Sequence, residues 1–144
     1  MSKSPAEVLH YYLISQGLFT SPSAKGDFPL FITTLPGGKD VEKAGCVSDT
    51  SFIKDGRLMT GETIIHPGIQ IRIRTRTFEE GWMKMRAIAS LLEMVHNLSI
   101  VISADDYYTL YNVSQTSAIL PMGQDPETRL FLFSINYITT IKEN

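Results

Sequence analysis

Ile69-Gln70-Ile71-Arg72-Ile73-Arg74-Thr75-Arg76-Thr77-Phe78-Glu79-Glu80 is a strand handing over to a helix, and the rest of the chain is arranged about it. A strand repeats its side-chain direction every second residue, so the isoleucines share one face and Gln70, Arg72, Arg74 and Arg76 share the other. Thr77 fits a helix N-cap with Glu80 three positions on, a capping box that satisfies orphan backbone donors at the helix start. Beyond it Trp82, Met85, Ile88, Ala89, Leu92 and Val95 recur at steps of three and four and form one apolar stripe. Arg86, Ser90, Glu93 and Asn97 fall on the opposite side. Residues 67–97 are therefore predicted as one strand followed by one long helix, with the helix lying on the isoleucine face of a sheet.

The chain of 144 residues is expected to form a single domain spanning 1–144. A domain of that size buries roughly two-thirds of its unfolded surface. Hydrophobic residues make up 43% and charged residues 19%, the balance of a globular rather than a disordered chain. A net charge of −2 argues against a dedicated nucleic-acid binder, which carries a basic excess. No apolar run reaches the length of a bilayer span, and the first residues lack a signal-peptide core, so no membrane partner is expected. Cys46 is the single cysteine, which rules out an internal disulfide and points to a reducing compartment.

Ser4-Pro5-Ala6-Glu7 is a second helix start, with serine as the cap and proline at the first helical position. That helix is predicted to run to about Gln16 and to end at Gly17. Residues 28–35 read as a strand with Pro29 at its start or on an edge, and 36–40 as a loop. Residues 44–47 begin another extended piece, which the tight-turn signal Asp55-Gly56 joins to a strand over 57–65. His66-Pro67-Gly68 then resets the chain. After the long helix, 99–103 read as a short buried strand, and 108–120 as an extended piece with a bulge near Tyr111 and Asn112. Residues 122–128 are predicted as a hairpin tip, and 130–141 as the closing strand. Phe131, Phe133, Ile135 and Tyr137 line one side of that strand. The order α-β-β-β-β-α-β-β-β implies an α+β fold: a mixed, mainly antiparallel sheet with helices packed on one face.

No constellation in the chain carries a known chemistry. Gly37-Gly38-Lys39-Asp40 lacks the serine or threonine that a phosphate loop places after its lysine, and Thr33 stands where that loop's first glycine belongs. His10, His66 and His96 are not at metal-ligand spacing, and His96 suits the last turn of the long helix. Asp105 and Asp106 are adjacent, so in a strand or turn they point apart. Cys46 has no His–Asn accompaniment, and no serine sits in a nucleophile elbow. Neither a catalytic residue nor a cofactor or metal is expected. The row Arg72, Arg74, Arg76 leaves three readings open: a solvated strand face, a contact surface built on bidentate arginine pairing, or passing contact with a nucleic-acid backbone.

Gly56-Arg57-Leu58-Met59-Thr60-Gly61-Glu62 is followed by His66-Pro67-Gly68-Ile69-Gln70-Ile71-Arg72-Ile73-Arg74 and then by the long helix. The chain closes with Ile119-Leu120-Pro121-Met122-Gly123-Gln124-Asp125 and Arg129-Leu130-Phe131-Leu132-Phe133-Ser134-Ile135-Asn136-Tyr137. In order and spacing this layout resembles the tail terminator proteins of long-tailed bacteriophages, also labelled minor capsid or tail completion proteins.

The resemblance implies a virion structural protein of the neck and no enzyme. Its subunits would assemble as a homo-oligomer, usually a hexamer, into a ring on the head-proximal end of the tail tube. The ring would stop tube polymerisation and offer a docking surface to the head–tail connector. Genome DNA would pass through the lumen without being read. By the same resemblance, residues 36–42 (with Gly37, Gly38, Lys39 and Asp40) and the hairpin tip (with Met122, Gly123, Gln124 and Asp125) are expected to meet a neighbouring subunit or the tube. Arg72, Arg74 and Arg76 are expected to face another subunit or the lumen. Two alternatives stand beside it: a head-completion or stopper protein of the neck, and a small phage-encoded metal-dependent nuclease using Asp105, Asp106 and a histidine.

Overall fold

The computed structural model describes residues 3–23, 26–37, 41–57, 59 and 63–143. In chain order the elements are α1 (Pro5–Ser15), β1 (Leu30–Ile32), β2 (Ala44–Arg57), β3 (Thr63–Thr75), α2 (Phe78–Glu93), β4 (His96–Ser103), β5 (Asp106–Gln115), β6 (Leu120–Gln124) and β7 (Phe131–Glu143). Seven strands form one sheet in the order β1-β2-β3-β7-β5-β4, with β6 also on β7. The β1–β2 pair is parallel, while every pair formed by β3, β5, β6 and β7 is antiparallel. The fold is α+β.

The isoleucine face is the core. Ile69, Ile71 and Ile73 stand opposite Tyr137, Ile135 and Phe133 of β7, and all six are buried. Full burial of each such side chain is worth about 1.5–3 kcal/mol. Met85, Ile88 and Leu92 of α2 and Ala6, Val8, Leu9 and Leu13 of α1 cover them from one side. α2 approaches so closely at Gly81 that a Cβ there would run into the Phe133 ring. The sheet curls around α1: the Ala6 amide donates to Asp49 Oδ1 of β2 at 2.9 Å, while the Lys3 amide donates to Tyr108 Oη of β5 at 3.0 Å. α1 carries a complete capping box between Ser4 and Glu7, and its chain exits through Gly17 at φ +81°. In α2 only half of the expected box forms, with Thr77 Oγ1 accepting from the Glu80 amide at 3.2 Å.

Several sequence expectations are corrected. Asp55-Gly56 is not a turn: β2 runs on to Arg57, and β3 begins at Thr63 and passes through Pro67-Gly68 without a break. Register shifts at Asp49/Phe52 and Lys54/Arg57 absorb the irregular residues. Pro67 sits opposite Phe52 at the first shift, where the ladder is already interrupted, and its carbonyl accepts from Thr139 Oγ1 at 3.0 Å. Three strands therefore precede α2 and four follow it. Leu58, Thr60, Gly61 and Glu62 of the resemblance motif lie outside the described residues.

The long helix stops at Glu93, and His96 and Asn97 open β4 instead. Val95 stays buried on the way out and so prolongs the apolar period, although the helix has already ended at its C-cap Met94; Asn97, at φ +49°, lies in the first turn of chain into β4. β4 is mostly exposed rather than buried, since it ends the sheet: Ile100 is buried, and Leu98 and Ile102 on the same face are half-buried against the core. β1 is shorter than 28–35 because Thr33, at φ +69°, turns the chain across the sheet. The bulge expected in β5 is present between Leu110 and Asn112.

Candidate assembly surface

The alternation that buries the isoleucines puts Arg72 and Arg74 on the opposite face of β3. Their neighbours there are small. Cys46 and Ala44 of β2 lie opposite Arg72 and Arg74, and both are fully buried. The chain leaving β1 crosses above them and is held by the guanidinium groups. Arg72 Nη2 donates to Thr33 O at 2.8 Å, and Arg74 Nη1 donates to Pro36 O at 2.6 Å. Arg74 Nε donates to Glu42 O at 3.3 Å, and its Nη2 to Val41 O. Arg76 Nε forms an ion pair with the Glu42 carboxylate in the open.

Arg74 is only 8% exposed, and a buried charge is tolerable only when its donors are occupied. Burial pulls its pKa down from the usual guanidinium range, and the nearby Asp125 carboxylate opposes that shift. The arginine row is thus neither a bare solvated face nor a free set of cations; it straps residues 33–37 and 41–42 onto the sheet. Arg72 Nε is buried without a partner among the described residues, at a cost of about 1–3 kcal/mol for such a group.

Asp125 brings the hairpin to the same end of the sheet. The tip is 125–130 rather than 122–128, because β6 extends through Gln124 against Phe131. Asp125 Oδ1 accepts from the amides of Glu127 at 2.9 Å and Thr128 at 3.4 Å. The Asp125 amide donates to Leu130 O at 2.9 Å and closes the turn. Met122 and Gly123 belong to β6, every residue of which is exposed; Gly123 takes φ +96° at a register shift. The structure therefore gathers Arg72, Arg74, Arg76, Gly37 and Asp125 at one end, with Met122, Gly123 and Gln124 on the adjoining strand. Gly38, Lys39 and Asp40 lie outside the described residues.

The histidines and aspartates are dispersed. His10 Nε2 donates to Leu30 O at 2.6 Å, and His66 Nδ1 lies 2.9 Å from Thr140 Oγ1. His96 is exposed at the start of β4. Asp106 Oδ1 accepts from Tyr108 Oη at 2.5 Å. Among the described residues no three of His, Cys, Asp and Glu gather as a metal-ligand set.

Two features escaped the sequence reading. Lys84 Nζ donates to Leu18 O between the rings of Phe19 and Phe28, with their centroids 4.7 and 4.8 Å away. Burial lowers its pKa, Lys43 adds to that, and Asp27 works against it. Trp82 is not in the core stripe. It is 37% exposed and stacks on Phe78 at 6.2 Å, because Gly81 takes the position closest to the sheet. The i, i+4 spacing of Phe78 and Trp82 was the available signal.

No family model matches the chain, and no curated protein matches it.

Proposed function

We propose that this chain is a structural subunit of a bacteriophage neck. On this reading it forms a homo-oligomeric ring, six subunits in the usual case, at the head-proximal end of the tail tube. The ring terminates tube growth and receives the head–tail connector, and DNA passes through without sequence-specific contact. The proposal comes from the order and spacing of the motifs quoted above. The observation that carries it is the gathering of the strapped loop and the hairpin tip at one end of a sheet whose terminal strands, β1 and β4, each have a described neighbour on one side alone. A heterologous ring needs two different surfaces per subunit, and an open sheet with a shaped end supplies them.

Cryo-electron microscopy of the intact virus is the direct test. Density for this chain at the junction of capsid and tail is expected, and density elsewhere in the particle overturns the reading. Deleting the gene should yield unattached tails of uncontrolled length. Tails of normal length beside heads that leak DNA would assign the chain to the stopper position instead.

A further inference from the structure

β4 accompanies β5 only as far as the pair His96–Asn112. Past that point residues 113–115 have α2 beside them but, among the described residues, no strand on that edge, and a cleft of about 330 Å³ opens there. Ala89 and Glu93 of α2 form one wall and Val113, Ser114 and Gln115 the other, over Tyr137 of β7.

Glu93 gives this cleft its sign. Glu93 is an exposed carboxylate in the final turn of α2, where the helix carbonyls already make the potential negative and an anion is unfavourable. No basic residue occupies that last turn, and Glu93 has no ion pair among the described residues. Tyr137, only 3% exposed, contributes a buried hydroxyl with no hydrogen-bond partner among the described residues. Ala89 and Val113 offer apolar contact between these polar groups, and none of the lining side chains is basic. The arrangement fits an alkyl stem ending in a cation: methylenes against Ala89 and Val113, and the charged head beside the exposed Glu93 carboxylate, with the Tyr137 hydroxyl buried in the floor beneath.

We propose that this cleft receives a lysine or arginine side chain presented by a partner polypeptide. The cleft is separate from the arginine-strapped end of the sheet, so it adds a second contact to the subunit. The proposal rests on the assembly reading only in taking the cation's carrier to be a protein.

The first measurement uses the isolated chain and backbone-amide NMR. Its probes are N-acetyl-lysine-N-methylamide, the same blocked form of norleucine, and the same blocked form of glutamate. The lysine probe should shift the amides of 113–115 saturably and bind about tenfold more tightly than the norleucine probe. The glutamate probe should not bind. Glu93→Gln, a change at an exposed position, should bring the lysine probe to the norleucine level. Equal binding of the lysine and norleucine probes, no binding by either, or indifference to Glu93→Gln overturns the proposal.

The second measurement asks who carries the cation. Carboxylates are labelled with a carbodiimide and glycine ethyl ester in the free chain and in assembled particles. Protection of Glu93 on assembly is expected. Equal labelling in the two states overturns a protein partner and leaves a free amine as the ligand. A chain that binds the lysine probe but is absent from the neck would sink the functional reading and not the cleft.

Discussion

At the scale of single residues, the polar groups on and within the sheet decide more than the charge count does. Tyr137 is the clearest case. Desolvation, with the Glu93 charge adding to it, pushes its pKa up to about 12. In the unfolded chain the phenol ionises near 10, so between those values the unfolded state holds fewer protons and stability falls as pH rises. Denaturant titrations should show a loss of up to about 2–3 kcal/mol from this group across that window. Tyr137→Phe should abolish that contribution and, by removing an unpartnered buried hydroxyl, raise stability at neutral pH by about 1 kcal/mol. Arg74→Leu should act in the opposite direction. It strips the donors from the carbonyls of Pro36, Val41 and Glu42, which should cost about 2 kcal/mol and speed amide exchange at Gly37 and Val41.

At the scale of elements, α2 is positioned by the absence of a side chain. Glycine inside a helix ordinarily costs ~1 kcal/mol relative to alanine, so propensity alone favours Gly81→Ala. The Phe133 ring lies where the added Cβ would go, and prising helix from sheet costs roughly 1–3 kcal/mol. Gly81→Ala should therefore lower the thermal midpoint, and pairing it with Phe133→Leu should recover part of the loss. If the single variant melts higher than the parent, this account of α2 packing fails. The helix starts were legible at Ser4 and Thr77, because a cap is a contact over three residues. The end of α2 was not, because Val95 stays buried after the helix has stopped and the apolar period runs on.

At the scale of the whole molecule, order should fall away from the centre of the sheet. β3 and β7 have strands on both sides and carry the buried faces, whereas β6 is exposed at every residue. Hydrogen-exchange mass spectrometry should find β3 and β7 slowest and β6 among the earliest to exchange, with α1 close to the slow class because it ties β2 to β5. The class of fold, α+β with helices on the isoleucine face, could be read from the alternation in β3 and the stripe in α2. The assignment of Arg72 and Arg74 could not. Their alternation names the face they occupy, but Thr33, Pro36, Val41 and Glu42, which they hold, arrive from more than thirty residues away.

Local periodicity is a property of neighbouring residues, and so the two helices, their starts at Ser4 and Thr77 and the buried faces of β3 and β7 were already present in the order of the side chains. Strand bounds, the run of β2 and β3 through Asp55-Gly56 and Pro67-Gly68, and the cleft beside Tyr137 depend on which segments come to lie together. Register shifts, close approach at Gly81 and the meeting of arginines with distant carbonyls are long-range outcomes. They are fixed by packing and by the need to satisfy buried polar groups, and both exist only once the chain has closed on itself.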